Sequence, residues 1–384
     1  MYADLAPYYH RWYHERPVLI TPERAGELRR LHGVLLKCAH HFTRVWQRYL
    51  PLSEKERDIL AEQARHPFRA GTWRPDYLIC PDGSLRICEI TSRFFAHGIF
   101  MSWFAHERSR LFMEEHPGLE WHDGFGAMMD RMLELTGGRK RIFVFKSADK
   151  TGEIRLYKRF YEAAGLPVTV LEAPEVENSA DSWARPDCFL ISALNQKDLL
   201  AMSDRTLTAM IEGGMCSDMR NIFLLHDKRF MELWFDDGFT SGCLDASQTA
   251  FLRAHAIPTF EASRKLADLR ARPEEWILKP WRLGKSEGVR AGAFTSPGEW
   301  EALLDRPEGC VAQPFLPQKT FPCTWEGQEL RDYMCGMMLC IDDDYFESGY
   351  FRCSSHPVTN VVDDRKAAAL YSGAEELKQY CDLL

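Results

Sequence analysis

Arg74-Pro-Asp-Tyr-Leu-Ile-Cys-Pro-Asp-Gly-Ser-Leu-Arg-Ile-Cys-Glu-Ile-Thr91 carries more structural information than any other stretch of this 384-residue chain. Two short β-forming runs, Tyr77-Leu-Ile-Cys80 and Leu85-Arg-Ile-Cys-Glu-Ile90, flank the turn composition Pro81-Asp-Gly-Ser84, and this pattern predicts a β-hairpin. Residues two apart on a strand point to the same side, so Glu89 and Thr91 share a face. In an antiparallel hairpin the start of one strand lies beside the end of the other, which brings Asp76 to Glu89. Two carboxylates and a hydroxyl on one face form a hard-oxygen site suited to Mg²⁺, which takes one or two carboxylates together with phosphate oxygens. Arg74 stands close enough to contact a terminal phosphate. Taken alone, the stretch is equally readable as a surface hairpin with scattered charges.

A second stretch, Trp276-Ile-Leu-Lys-Pro-Trp-Arg-Leu-Gly-Lys-Ser-Glu-Gly-Val289, places Lys279 at the end of an apolar strand and follows it with Gly284, Lys285, Ser286 and Gly288. Glycines let a backbone approach a phosphate chain, amide N–H groups can point at its oxygens, and lysines neutralise it. The spacing is neither a Walker A loop nor a Rossmann fingerprint; in isolation it is also a glycine hairpin with exposed lysines. Further on, Val311-Ala-Gln-Pro-Phe-Leu-Pro317 is a strand broken by proline. Such a break leaves backbone groups without ladder partners. Those groups can bond the edge of an adenine ring, although an ordinary edge strand has the same appearance.

The surrounding chain supplies the layers. Apolar residues recur every three or four positions from Pro22 to Tyr49, and Ser53 with Glu56 forms a capping box, so the lead is read as helical. Residues 99–116 and 124–135 are read as helices. From 140 to 225 strands (141–145, 168–171, 188–191) alternate with helices (151–165, 196–212), predicting a small parallel sheet. The last third is strand-rich, with helices expected at 297–304 and 373–381.

Composition bounds the function. Apolar residues at 45% and charged residues at 27% describe a globular protein and exclude a disordered or fibrous one. No apolar run reaches the ~20 residues of a membrane helix, and the N-terminus has no secretory pattern, so no membrane partner is expected. A net charge of −8 argues against nucleic acid as a partner. The 12 cysteines are scattered without a C-x-x-C pair, which points to reduced thiols in a cytoplasmic setting; Cys310, Cys335 and Cys340 are read as core. His10 and His14 sit four apart and His40 and His41 are adjacent, but no third ligand has a suitable spacing, so these histidines are read as solvated or capping. Trp276, Trp281 and Trp325 are candidates for a pocket wall, a role in which core tryptophans are commoner.

Taken together, the motifs resemble the ATP-grasp superfamily, in its circularly permuted branch of the glutathionylspermidine synthetase type. The family's Arg-x-Asp, Asp-Gly turn and Glu-x-Asn are matched in order by Arg74-Pro-Asp76, Asp82-Gly83 and Glu89-Ile-Thr91. The departure is Thr91, where asparagine is usual and where threonine offers a shorter-reaching oxygen. The resemblance implies Asp76, Glu89 and Thr91 as metal ligands and Lys279 as the strand lysine on the α/β phosphates. It also implies a mobile flap carrying Gly284, Lys285, Ser286 and Gly288. Gln313, Phe315 and Leu316 match the adenine hinge, and His226-Asp-Lys228 matches a step supplying a second nucleotide lysine. Gln328-Glu-Leu-Arg331 resembles the Glu-x-Arg strand that follows the hinge. Gly349-Tyr-Phe-Arg352, with Thr359 and Asn360 beyond, resembles the stretch near the acyl phosphate. The implied fold is α+β / α/β: antiparallel sheets clamping a nucleotide, plus a small parallel α/β layer. Its divisions are a helical region 1–70, a metal-binding hairpin with helices at 71–138, an α/β subdomain at 139–225, and a nucleotide-binding portion at 226–384.

The implied reaction is carboxylate activation by ATP with Mg²⁺, followed by attack of an amine on an acyl phosphate, with small-molecule carboxylate and amine substrates. Arg74, Arg331 and Arg352 are the residues implied at the reacting groups. Two alternatives stand beside it: a phosphotransferase on the same fold, and a nucleotide- or metabolite-binding protein without catalysis.

Overall fold

The computed structural model describes the whole chain except residues 94, 149–151, 217, 285 and 360–364; Lys285 and Asn360 therefore lie outside the described residues. In chain order the strands are β1 (Val18–Ile20), β2 (Thr72–Ile79), β3 (Leu85–Thr91), β4 (Arg141–Lys146), β5 (Val168–Glu172), β6 (Cys188–Ala193), β7 (Phe260–Glu261), β8 (Trp276–Pro280), β9 (Arg290–Ala291), β10 (Cys310–Pro314), β11 (Thr320–Trp325), β12 (Gln328–Met337), β13 (Leu339–Ile341), β14 (Asp344–Phe346), β15 (Tyr350–Ser354), β16 (Arg365–Tyr371) and β17 (Asp382–Leu383). They form three sheets. The largest, of ten strands, runs β14-β13-β2-β12-β15-β16-β1-β17, with β3 beside β2 and β11 beside β12. A four-stranded sheet runs β7-β10-β8-β9, and a three-stranded one β5-β4-β6.

The hairpin is at the heart of the large sheet. β2 pairs with β3, β12 and β13, and most of its residues are buried, as expected of a strand covered on both faces. One face is covered by the long helix Pro22–Val45, which opens on Thr21, whose hydroxyl accepts from the Arg24 N–H, with Pro22 in the first turn. Its apolar stripe (Leu28, Leu31, Leu35, Phe42) joins Trp73, Tyr77 and Phe351 in the largest core, and Phe42 stacks on Phe230 at 4.7 Å. The other face meets helices Ser102–Glu114 and Phe125–Glu134 in a second core with Met337, Leu339 and Ile341.

The parallel layer expected at 139–225 is present. β4 pairs in parallel with both β5 and β6, and alternation along β4 divides its side chains: Phe143 and Phe145 enter the first core, Ile142 and Val144 the second. The layer thereby fastens the two cores together. The small four-stranded sheet has its own core of Trp276, Leu278, Ala312 and Trp300, so Ile277, Lys279, Val311 and Gln313, which are paired across β8 and β10, face the other way.

Several expectations are corrected. The helix expected over 196–212 is two, Gln196–Ala201 and Asp204–Glu212, because Ser203 caps the second by accepting from the Thr206 N–H. The C-terminal helix shrinks to a 3₁₀ turn, Glu375–Gln379, ahead of β17. The first seventy residues are not only helical, since β1 pairs in parallel with both β16 and β17 inside the large sheet. Among the described residues no helix is long and apolar enough to cross a membrane.

Gly336 in β12 lies opposite Tyr77 of β2, whose buried ring occupies the space over the glycine; a Cβ there would sit 2.1 Å from a ring carbon. Gly336→Ala is expected to destabilise the fold by about 1–3 kcal/mol through overpacking, read as a lower urea midpoint. An unchanged midpoint would mean that the ring has room to swing aside.

Candidate functional site

A cleft of about 520 Å³ opens between the large sheet and the small one. Its floor is built by strand alternation. In the β2–β3 register Arg74 faces Thr91 and Asp76 faces Glu89, with an irregularity just after Asp76, so all four side chains turn to one side. Arg352 and Lys366, cross-strand neighbours on β15 and β16, continue the floor. Opposite stand Ile277, Lys279 and Gln313 from β8 and β10, followed by Phe315 and Leu316.

The charges in this floor are compensated in pairs. Arg74 holds Asp76 with two bonds, Nε to Oδ1 at 2.6 Å and Nη2 to Oδ2 at 2.8 Å. Burial still pushes the Asp76 carboxyl above its ordinary value, with Arg74 only partly offsetting it. Glu89 behaves oppositely. Burial would raise it, but Lys228 first and then Lys279 hold it down to about 2. Lys228 Nζ lies 3.1 Å from Glu89 Oε1 and donates to the Leu283 carbonyl at 2.7 Å, tying the second carboxylate to the stem of the flap. Lys279 Nζ donates to the Cys88 carbonyl at 3.2 Å. His226 is pushed down to about 3, by burial first and then by Lys228 and Arg93. It is therefore neutral, and its Nδ1 donates to the Ile90 carbonyl at 3.2 Å.

At the far end of the small sheet, Gln313 is fully buried. Its Nε2 donates to Thr259 Oγ1 at 2.8 Å, while its Oε1 has no hydrogen-bond partner. A buried acceptor without a donor is costly, and here it lies in the cleft wall. The flap crosses the cleft: Ser286, at φ +56°, donates from its hydroxyl to the Thr359 carbonyl at 2.9 Å. Gly288 sits at φ +69°, where a side chain would be strained.

Most of the residues singled out in the sequence meet here: Arg74, Asp76, Glu89, Thr91, Lys279, Gly284, Ser286, Gln313, Phe315, Leu316 and Arg352 all line the cleft. Lys228 stands just behind, in contact with Glu89, and Gly288 shapes the flap without lining the cleft. Arg331 is elsewhere. It is exposed, bonded to Thr320, and lines a separate groove, because it precedes the cleft residue Cys335 by four positions, about 13 Å of strand. The tryptophans are also elsewhere. Trp276 is core, Trp281 lies under the Arg229 guanidinium at 3.7 Å, and Trp325 stacks on Trp12.

No local pattern marks a further group lining one end of the cleft, Tyr9, His97, Glu153 and Lys366, which stand with Tyr350 of the 349–352 stretch. Ala96, His97 and Gly98 all have positive φ (70°, 45° and 98°), a local strain of the kind stored at functional sites. Arg74 Nη1 holds the turn by donating to the His97 carbonyl at 2.9 Å, and the Gly98 N–H donates to Glu153 at 2.9 Å.

The chain is similar to known proteins along most of its length. A model of the AnkG N-terminal domain family matches residues 39–224, just under half the chain. A protein of Aspergillus thermomutatus named ATP-grasp enzyme ankG is 23% identical over 377 residues, covering 83% of this chain and 75% of its own length. The likeness is to an ATP-grasp enzyme. It extends beyond the family match into the segments that carry Lys279 and Gln313.

Burial, partly offset by the Gly98 N–H and Arg74, raises Glu153 from 4.5 to about 7. Its value in the fold lies above that of the unfolded chain, so the native state holds the extra proton between the two. Stability contributed by this group is therefore present below about 4.5 and lost as pH rises through about 7. Glu153→Gln should flatten that part of the pH–stability curve relative to the parent; identical slopes would mean that the carboxyl titrates normally.

Proposed function

We propose that this chain is an ATP-dependent carboxylate–amine ligase that forms an amide through an acyl phosphate, with Mg²⁺ as cofactor. The observation that carries the proposal is the convergence in one cleft of the Asp76–Glu89 pair with Lys279 and Gln313 from a different sheet. Likeness to an ATP-grasp enzyme supports the same class.

The donor set fits the cation. Asp76 and Glu89 are hard-oxygen carboxylates opposite one another on one face, and Thr91 is a weaker third donor. Bound there, Mg²⁺ would neutralise phosphate oxygens. The rest falls to the chain's own residues. The unpartnered Gln313 Oε1 can accept from an exocyclic amino group while Ile277, Phe315 and Leu316 cover the base. Lys279, with Lys228 behind it, neutralises the phosphate chain, and Arg74 and Arg352 sit where charge accumulates on the transferred phosphoryl group. Lys366, beside Arg352, takes the place that the sequence assigned to Arg331. The substrate carboxylate attacks the γ-phosphorus, ADP leaves, and an amine then displaces phosphate. Positioning and charge neutralisation dominate such a reaction. The flap, reaching from Ser286 to Thr359, keeps water from the acyl phosphate.

Asp76→Asn and Glu89→Gln should each lower Mg²⁺-dependent ADP release by ~10²-fold or more with the circular dichroism spectrum unchanged; parental rates in either would remove the metal assignment. Lys279→Ala is expected to weaken nucleotide binding by roughly tenfold to a hundredfold, the loss of one charge-assisted hydrogen bond, in calorimetry. ADP release measured with libraries of carboxylates and amines separates the possibilities. A ligase needs both substrates, a phosphotransferase needs one, and a binding protein is stabilised by nucleotide without turnover.

A further inference from the structure

His14 has no metal partner at any ordinary spacing in the sequence, and no cysteine pair suggests a site. Folding supplies partners from more than 300 positions away. His14 lies just ahead of β1, Cys323 on β11 and Asp332 on β12, and their ligand atoms all lie within 4.8 Å of one another. Phe321 pairs with Asp332 and Cys323 with Leu330, so Cys323 and Asp332 are diagonal neighbours on one face of the hairpin. His14 Nε2 is 3.0 Å from Asp332 Oδ2, and these two residues are 2% and 0% exposed.

A further carboxylate stands in the same groove, outside that cluster and paired through Oδ1 with Arg16 at 3.8 Å. Asp382 of β17 lines the same groove as His14 and Cys323. It is 9% exposed, and its Oδ2 is buried with no hydrogen-bond partner. Arg365 bonds both oxygens of Asp332, at 2.8 and 2.7 Å. That fixes the carboxylate plane, with Oδ2 turned to His14 Nε2, the bond a bound cation would replace.

We propose that His14, Cys323 and Asp332 bind a divalent cation of the zinc class, with the fourth position open to the groove that Asp382 also lines. Thiolate, imidazole and carboxylate together favour a borderline-soft, four-coordinate ion, unlike the all-oxygen pair of Asp76 and Glu89. The site would clamp the N-terminal segment to the β11–β12 hairpin. That segment already bonds β16, His14 N–H to the Lys366 carbonyl at 2.7 Å and Lys366 N–H to the Trp12 carbonyl at 2.8 Å. It also carries Tyr9 into the cleft. The proposal is independent of the reaction assigned to that cleft.

The test is Co²⁺ titration of the full chain after chelator treatment. One equivalent should bind with a thiolate-to-cobalt charge-transfer absorption, displaced by Zn²⁺. Cys323→Ser and His14→Gln should each lose that absorption, while Glu329→Gln, in the same groove but outside the ligand set, should keep it. In the parent chain, Zn²⁺ should slow alkylation of Cys323, mapped by mass spectrometry, by about tenfold or more, which needs no variant to fold. No thiolate band in the parent, a band retained in Cys323→Ser, or alkylation of Cys323 indifferent to Zn²⁺ would overturn the site and leave a hydrogen-bonded cluster neutralised by Arg365.

Discussion

A carboxylate pair inside a sheet has to be charge-compensated, and the rest of the structure is arranged around that requirement. Asp76 and Glu89 face each other across β2 and β3. Two carboxylates that close repel in a medium of low polarity unless cations are brought to them. Arg74 answers for Asp76 from the same strand. Glu89 is answered from far along the chain by Lys228, and delivering that lysine involves a whole supporting network. Asp227 holds Arg229 with two bonds and Arg282 with a third, Arg229 lies over the Trp281 ring, and Arg282 reaches Glu56 of the helix Glu54–Gln63. The segment carrying Lys228 is thus fixed both to the flap stem and to the N-terminal helices.

That network explains why the two sheets face one another. The Lys228 N–H donates to the Trp281 carbonyl, and Lys228 Nζ reaches Leu283. A lysine answering a carboxylate of the large sheet therefore also holds the end of β8, in the small one. Lys279, bonded to the Cys88 carbonyl of β3, adds a second tie. The cleft is where these ties cross, and the cations that keep Glu89 ionised are the ones available to a polyanion.

What was legible in the sequence follows from the range of the forces involved. The β2–β3 hairpin was readable with its facing residues because alternation and turn chemistry act locally. Lys279 and Gln313 were readable for a related reason: a strand ending in lysine and a strand broken by proline are themselves local features. Arg331 shows the limit. Periodicity assigns a residue to a face but says nothing of how far along the strand the cleft extends, and Arg331 lies beyond its edge. Tyr9, Glu153 and Lys366 reach the cleft only through packing of distant segments, so no short-range pattern marks them. His14 failed for the same reason, since its neighbours Cys323 and Asp332 are remote in sequence and adjacent only after β11 pairs with β12.

Bulk charge is the clearest case of a number that does not transfer to a site. The chain carries a net −8, yet the described lining of the cleft holds Arg74, Arg93, Lys279, Arg352 and Lys366 against Asp76, Glu89 and Glu153. Surface charges farther away than about 8 Å are screened by physiological salt, whereas charges facing a shared, partly dry cleft act on one another with little attenuation. Burial keeps Glu153 protonated to about pH 7, which widens the local positive excess below neutrality. An acidic protein can therefore present a basic cleft, and the sign that matters to a polyphosphate is set by a few side chains brought together from five strands, one loop and one helix.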